Sequence, residues 1–102
     1  GLYEAATASL QKAVEVQPGY VAAYGHLGVA YYVQRDYEEA AGYLEKAIKA
    51  GARSEEYYYE LGFCYAYLGS CDKAIPWFEQ ALLLYPDSQM AKQGLASCQK
   101  SK

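Results

Sequence analysis

The chain offers few groups for covalent chemistry. It has one histidine, His26, and three cysteines, Cys64, Cys71 and Cys98. A general base needs a nucleophile and an orienting acid within reach, and no Ser-His-Asp or Cys-His arrangement occurs at suggestive spacing. His26 alone therefore reads as a contact residue. The cysteines form no metal box. Cys64 and Cys98 stand 34 residues apart, in a small-residue slot shared with Ala30, which reads as buried packing. Cys71 falls near a helix start, where a thiolate is favoured, but nothing else supports redox chemistry. An odd cysteine count with no visible secretion signal points to a reducing compartment and a cytoplasmic location. Gly25 and Gly28 lack the following Lys of a phosphate loop. These observations predict a non-enzyme with no metal or cofactor.

The remaining chemistry is that of recognition. Thirteen tyrosines supply large amphipathic contact surface. Two acids, Glu56 and Glu60, stand among them. All 12 acidic side chains lie in residues 1–88, with six of the nine basic ones; Lys92, Lys100 and Lys102 are the other three. An acidic body disfavours nucleic acid and anionic membranes as partners. No run approaches the ~18 apolar residues of a membrane span.

A 34-residue period positions these groups. Residues 21–54 laid over 55–88 match Tyr24 with Tyr58, Leu27 with Leu61, Gly28 with Gly62 and Tyr31 with Tyr65. Ala40, Leu44 and Ala47 match Ala74, Phe78 and Ala81. A fixed period of this length marks stacked units, each burying its apolar face on the next. Gly inside a helix costs about 1 kcal/mol relative to Ala. Its recurrence at Gly28 and Gly62 predicts close approach of the two helices of each unit.

The order aromatic, two residues, Leu-Gly, two residues, Tyr, then Ala, three residues, Leu or Phe, two residues, Ala, with Pro near the end, resembles the tetratricopeptide repeat (TPR) family. Residues 55–88 carry the full set, ending at Pro86. Residues 21–54 have Ala52 in place of that Pro, beside Gly51. The resemblance implies an all-α helix-turn-helix solenoid: six antiparallel helices in a right-handed superhelical stack. Residues 1–20 match a half repeat, 21–54 and 55–88 full repeats, and 89–102 a capping helix, with Lys92 and Gln99 in tyrosine slots and Ala96 in the glycine slot. Because Gly1 is no initiator Met and residues 1–20 lack a first helix, the N-terminus reads as severed and the C-terminus as a natural end.

Helices are predicted over 2–16, 20–34, 37–50, 55–68, 71–84 and 88–99. Asp36 with Glu39 reads as a capping box, Ser54 and Ser70 as N-caps, and Gly51 and Gly69 as left-handed C-cap residues. Pro76, about six residues into the fifth helix, predicts a slight kink.

In TPR proteins one side of each first helix lines a concave groove for peptides. The resemblance places His26, Val29, Tyr32, Val33, Glu56, Tyr59, Glu60, Phe63, Tyr67 and Gln93 there. An apolar, aromatic stripe beyond core needs marks an interaction surface. It predicts a protein or peptide partner with apolar or aromatic residues and room for a Lys or Arg opposite Glu56 or Glu60. The family's clamp for chaperone C-terminal carboxylates uses Lys, Arg and Asn; this chain has no Asn, and the two glutamates would repel an acidic tail, so that ligand is not expected. The alternative is self-assembly as a homodimer through Tyr3 and Leu10, which the missing first helix would leave bare.

Overall fold

The computed structural model describes residues 2–16 and 21–100. Among these described residues are six helices: α1 (Leu2–Val16), α2 (Val21–Val33), α3 (Tyr37–Lys49), α4 (Glu55–Tyr67), α5 (Cys71–Leu84) and α6 (Gln89–Lys100). Each boundary lies within one residue of the sequence expectation. The side chain of Tyr3 falls outside the described residues.

The layering follows from which helices touch. Successive helices pack in pairs, and α2 also meets α4, as α4 meets α6. No Cα of α3 comes within 8 Å of one of α5. The first helices of the units therefore form a contiguous layer, while α3 and α5 splay apart. That difference curves the stack, which extends 42 × 26 × 19 Å.

The repeated glycines act as anticipated. A Cβ on Gly28 would lie 2.6 Å from Leu44 Cδ2, and one on Gly62 would lie 2.6 Å from Phe78 Cε1. Leu27, Leu44, Leu61 and Phe78 are fully buried beside Ala40, Ala47, Ala74 and Ala81. Small residues thus seat one large knob per unit, and tight packing at these positions specifies the register. Ala96, in the equivalent slot of α6, is exposed. Gly94 plays the close-approach part there instead, because a Cβ on it would collide with the Phe78 ring.

Three helix ends share one stop. Gly51 (φ 109°) and Gly69 (φ 82°) are left-handed as expected, and Arg35, 34 residues before Gly69, is left-handed too (φ 65°). In all three the backbone N–H groups close paired bonds of the Schellman type: Asp36 donates to the Tyr31 carbonyl at 2.9 Å, Ala52 to Ala47 at 3.0 Å and Ser70 to Tyr65 at 2.8 Å. A non-glycine residue in this region costs about 1–2 kcal/mol.

The N-caps differ from expectation. Asp36, Ser54 and Ser70 hold the N-cap positions, but none makes a side-chain cap bond, so the Asp36–Glu39 box does not form. Asp36 and Ser70 have a reason: each also closes the preceding helix. That double duty leaves their backbones at ψ 72° and 65°, short of the extended geometry that aims a cap. Ser54 has extended geometry and still makes no such bond. Among the described residues the side-chain cap that does form is Ser88 on α6, whose Oγ accepts from the Ala91 N–H at 3.3 Å. Helix α5 continues through Pro76 to Leu84.

Candidate functional site

The aromatic residues expected along the groove come together on α4. Tyr59 meets Phe63 edge-on at 6.3 Å between ring centroids, and Phe63 stacks with Tyr67 at 6.1 Å. Tyr67 then stacks on Tyr37 at 4.6 Å, and Tyr37 meets Tyr32 edge-on at 5.8 Å. A continuous ladder of five rings thus runs from α4 over the start of α3 to α2. Offset and edge-to-face pairs of this kind add about 0.5–1.5 kcal/mol each beyond area burial. Tyr67 is 58% exposed and Val33 46%, so the ladder has an open edge. Phe63 is different. It is half-buried and meets Phe78 edge-on at 5.1 Å, which makes it a bridge from ladder to core.

Tyr37 was missed by sequence reasoning because it opens a second helix, outside the first-helix stripe. His26, Glu56 and Gln93 are exposed, and Val29 is half-buried. Gly25 lies beneath Tyr57, whose ring a Cβ there would strike. The missing side chain lets α4 lay that ring across α2.

Glu60 does not stand at the surface. It is 7% exposed, and its Oε1 is buried without a hydrogen-bond partner. Burial first, and the neighbouring Glu56 second, push its carboxyl up to about 8. At neutral pH it is therefore mainly an uncharged acid. Of the two glutamates expected in the groove, Glu56 alone is exposed. Cys64, one turn on, is fully buried, and burial pushes its thiol up to about 12. Burial also raises the Tyr32 hydroxyl, with Tyr67 and Glu60 adding to it.

Glu60 makes stability pH-dependent with a definite sign. Its folded value lies above its ordinary 4.5, so the folded chain holds this proton more tightly than the unfolded one. The stability it contributes is complete below pH ~4.5 and is lost as pH climbs to about 8. Between pH 5 and pH 8 the urea midpoint of the wild type is expected to fall relative to Glu60→Gln. Parallel pH profiles for the two proteins would show that the carboxyl is ionised throughout.

A cavity of about 290 Å³ closes the ladder at the α6 side. It is lined by Phe63, Ala66, Tyr67, Gly94 and Ser97, and by a disulfide between Cys71 and Cys98. This bridge, with Cα atoms 5.3 Å apart, ties the start of α5 to the last turns of α6. Cys98 is buried as expected but, unlike Cys64, it is not free, and its partner is Cys71, which the sequence reading had only placed near a helix start. The antiparallel α5–α6 hairpin explains it. Residues near the start of one helix face residues near the end of the other, a relation that the 34-residue alignment of Cys64 with Cys98 conceals.

Among the described residues no three His, Cys, Asp or Glu side chains group as they would around a metal ion, and no helix is long and apolar enough to cross a membrane.

Comparison with known proteins places this geometry in context. Family profiles described as tetratricopeptide repeat match residues 1–55 and residues 55–88. No curated protein matches the chain. Among solved structures, the chain resembles YrrB, described as a TPR protein with an unusual peptide-binding site. The TM-score is 0.86 at 30% identity, covering 94% of this chain and 50% of that one. It also resembles MamA, with a TM-score of 0.91 at 30% identity over 99% of this chain and 59% of the other. The second TPR domain of human RPAP3, solved with the HSP70 peptide SGPTIEEVD, shares the fold at a TM-score of 0.86 and 24% identity; the match covers 95% of this chain and 81% of that one. The chain thus spans half to three-fifths of the length of YrrB and MamA.

Proposed function

This chain belongs to the tetratricopeptide repeat family, and we propose from that premise that it is a non-catalytic interaction scaffold holding a partner segment along α4. The carrying observation is the ladder of rings from Tyr59 to Tyr32, open at Tyr67 and Val33. Rigid aromatic surface of this kind supplies binding energy at low entropic cost. The partner is a protein or peptide segment with apolar or aromatic residues, and a Lys or Arg on it meets Glu56. His26, Val29 and Gln93 flank its path. An acidic chaperone tail is disfavoured by Glu56 and by the absence of Asn. Nucleic acid and membranes are not the partners of this acidic surface. Helix α6 covers the Phe78 side of the second full repeat. A cytoplasmic location belongs to the same reading.

The test avoids Phe63, because its contact with Phe78 would unsettle the core. Peptides enriched from a random display library by the wild-type protein should be rich in aromatic and aliphatic residues with an occasional Lys or Arg. Their affinity should drop by about thirtyfold or more in the Tyr59→Ala/Tyr67→Ala variant, as for two hot-spot residues, with the helical circular dichroism retained. Peptides that bind the double variant equally well, or that end in acidic runs, would refute the assignment.

One observation favours a second reading, self-assembly through α1. Ala6 is exposed and Leu10 half-buried, whereas Ala40 and Leu44 in the matching slots are fully buried. A homodimer through this edge would lose its concentration-dependent light scattering on Leu10→Glu.

A further inference from the structure

The splay of α3 and α5 leaves a second hollow, which shares no residue with the aromatic ladder. It measures about 420 Å³. Ile48 and Tyr58, both nearly buried, form its floor, and Trp77, Pro76 and Leu84 form its α5 side. Trp77 is half-buried and lies 6.3 Å from the Tyr58 ring. Arg53 on the α3–α4 connection is the one charged residue of the lining. Its guanidinium donates to the carbonyl of its own neighbour, Ala52, at 3.3 Å, and makes no ion pair among the described residues. The hollow continues along α5 into another of about 400 Å³, bounded by Glu79 and by Leu83, which is 75% exposed.

We propose that this hollow is a second protein-binding site, taking an extended segment in which an Asp or Glu sits beside a bulky apolar residue. The apolar side chain occupies the space over Tyr58 and Trp77, and the carboxylate pairs with Arg53. A guanidinium presents a planar fork of donors to a carboxylate, and here no competing acid occupies it. Glu79 in the adjoining hollow repels a carboxylate at that end, so the segment lies with its acid toward Arg53. Pro76 gains a role as well. Its ring gives the α5 rim a flat, apolar edge that carries no amide donor. A ladder with Glu56 at its mouth and a hollow with Arg53 at its edge select segments of opposite charge, so the two sites do not compete for one ligand.

Trp77 is the only tryptophan, so its emission reads occupancy of this hollow directly. The probes are acetyl-Leu-Asp-Leu-amide and its Asn twin. The Asp peptide should shift Trp77 emission saturably and bind about tenfold more tightly than the Asn peptide. Arg53→Gln should erase that tenfold preference, and Tyr67→Ala should leave it intact. No saturable change, equal affinities for the two peptides, or an Asp preference that survives Arg53→Gln would each overturn the proposal. None of these results bears on the aromatic ladder.

Discussion

Truncating Phe78 to alanine is expected to destabilise the chain by about 3–5 kcal/mol, the range for a fully buried aromatic that leaves a cavity. The ring is fully buried and serves three neighbours at once. It fills the space kept open by Gly62 on α4, lies against Gly94 on α6, and meets Phe63 edge-on at 5.1 Å. Its counterpart Leu44 fills the space at Gly28. Leu44→Ala should therefore cost less, because one helix pair loosens rather than a three-helix junction. In a stacked architecture stability is nearly a sum over units and their interfaces. The loss should therefore concentrate in α4, α5 and α6, with α2 and α3 retaining more of their protection. Urea denaturation gives the total, and amide hydrogen exchange gives its distribution. A Phe78→Ala protein with a smaller loss than Leu44→Ala, or with uniform loss of protection, would show that the junction does not organise the C-terminal half. The same variant should also blunt the ladder, since Phe63 loses its backing.

Those pairings were legible in the sequence because they repeat. Gly28 with Leu44 and Gly62 with Phe78 are the same contact written twice, 34 residues apart. The stops at Gly51 and Gly69 were legible because glycine marks a left-handed residue. Arg35 was not, because the backbone bonds that close α2 hold the same conformation on a residue type that does not advertise it. What repeats poorly was hidden. Gly94 has no glycine counterpart, since Glu60 and His26 fill its slot in the two preceding first helices. Glu60 shows the limit most clearly. Its slot marked it for the groove, but only the fold reveals that it is covered and holds its proton. The ladder's α4 rings lie at helical spacing and were anticipated. Tyr37 joins them from another helix, through a contact that no single-helix stripe contains.

Loss of the Cys71–Cys98 bridge carries the second large effect. The bond closes a segment with a sequence separation of 27. Chain-entropy reasoning for a loop of that size gives about 3.5 kcal/mol, within the usual range of about 2–4. The Cys71→Ser/Cys98→Ser variant is expected to lose that amount, and the wild type should lose a similar amount in excess dithiothreitol, which has no further effect on the variant. The location of the loss matters as much as its size. Without the bridge, α6 is held to α5 by Gly94 against Phe78 and by its remaining packing. Exchange protection should accordingly fall first in α6 and then at the cavity shared by Tyr67, Ser97 and the bridge. Cys64 supplies an internal control. It is buried and its thiol is pushed up to about 12, so it should resist alkylation in the native protein under both conditions. Reduction should therefore expose Cys71 while the native fold persists, and Cys98, 1% exposed, should become reactive only as the last turns of α6 open. A reactive Cys71 before reduction would mean that Cys71 and Cys98 are not joined. Three reactive thiols after reduction would mean that losing the bridge opens the core around Cys64, extending its reach from one hairpin to the whole C-terminal unit.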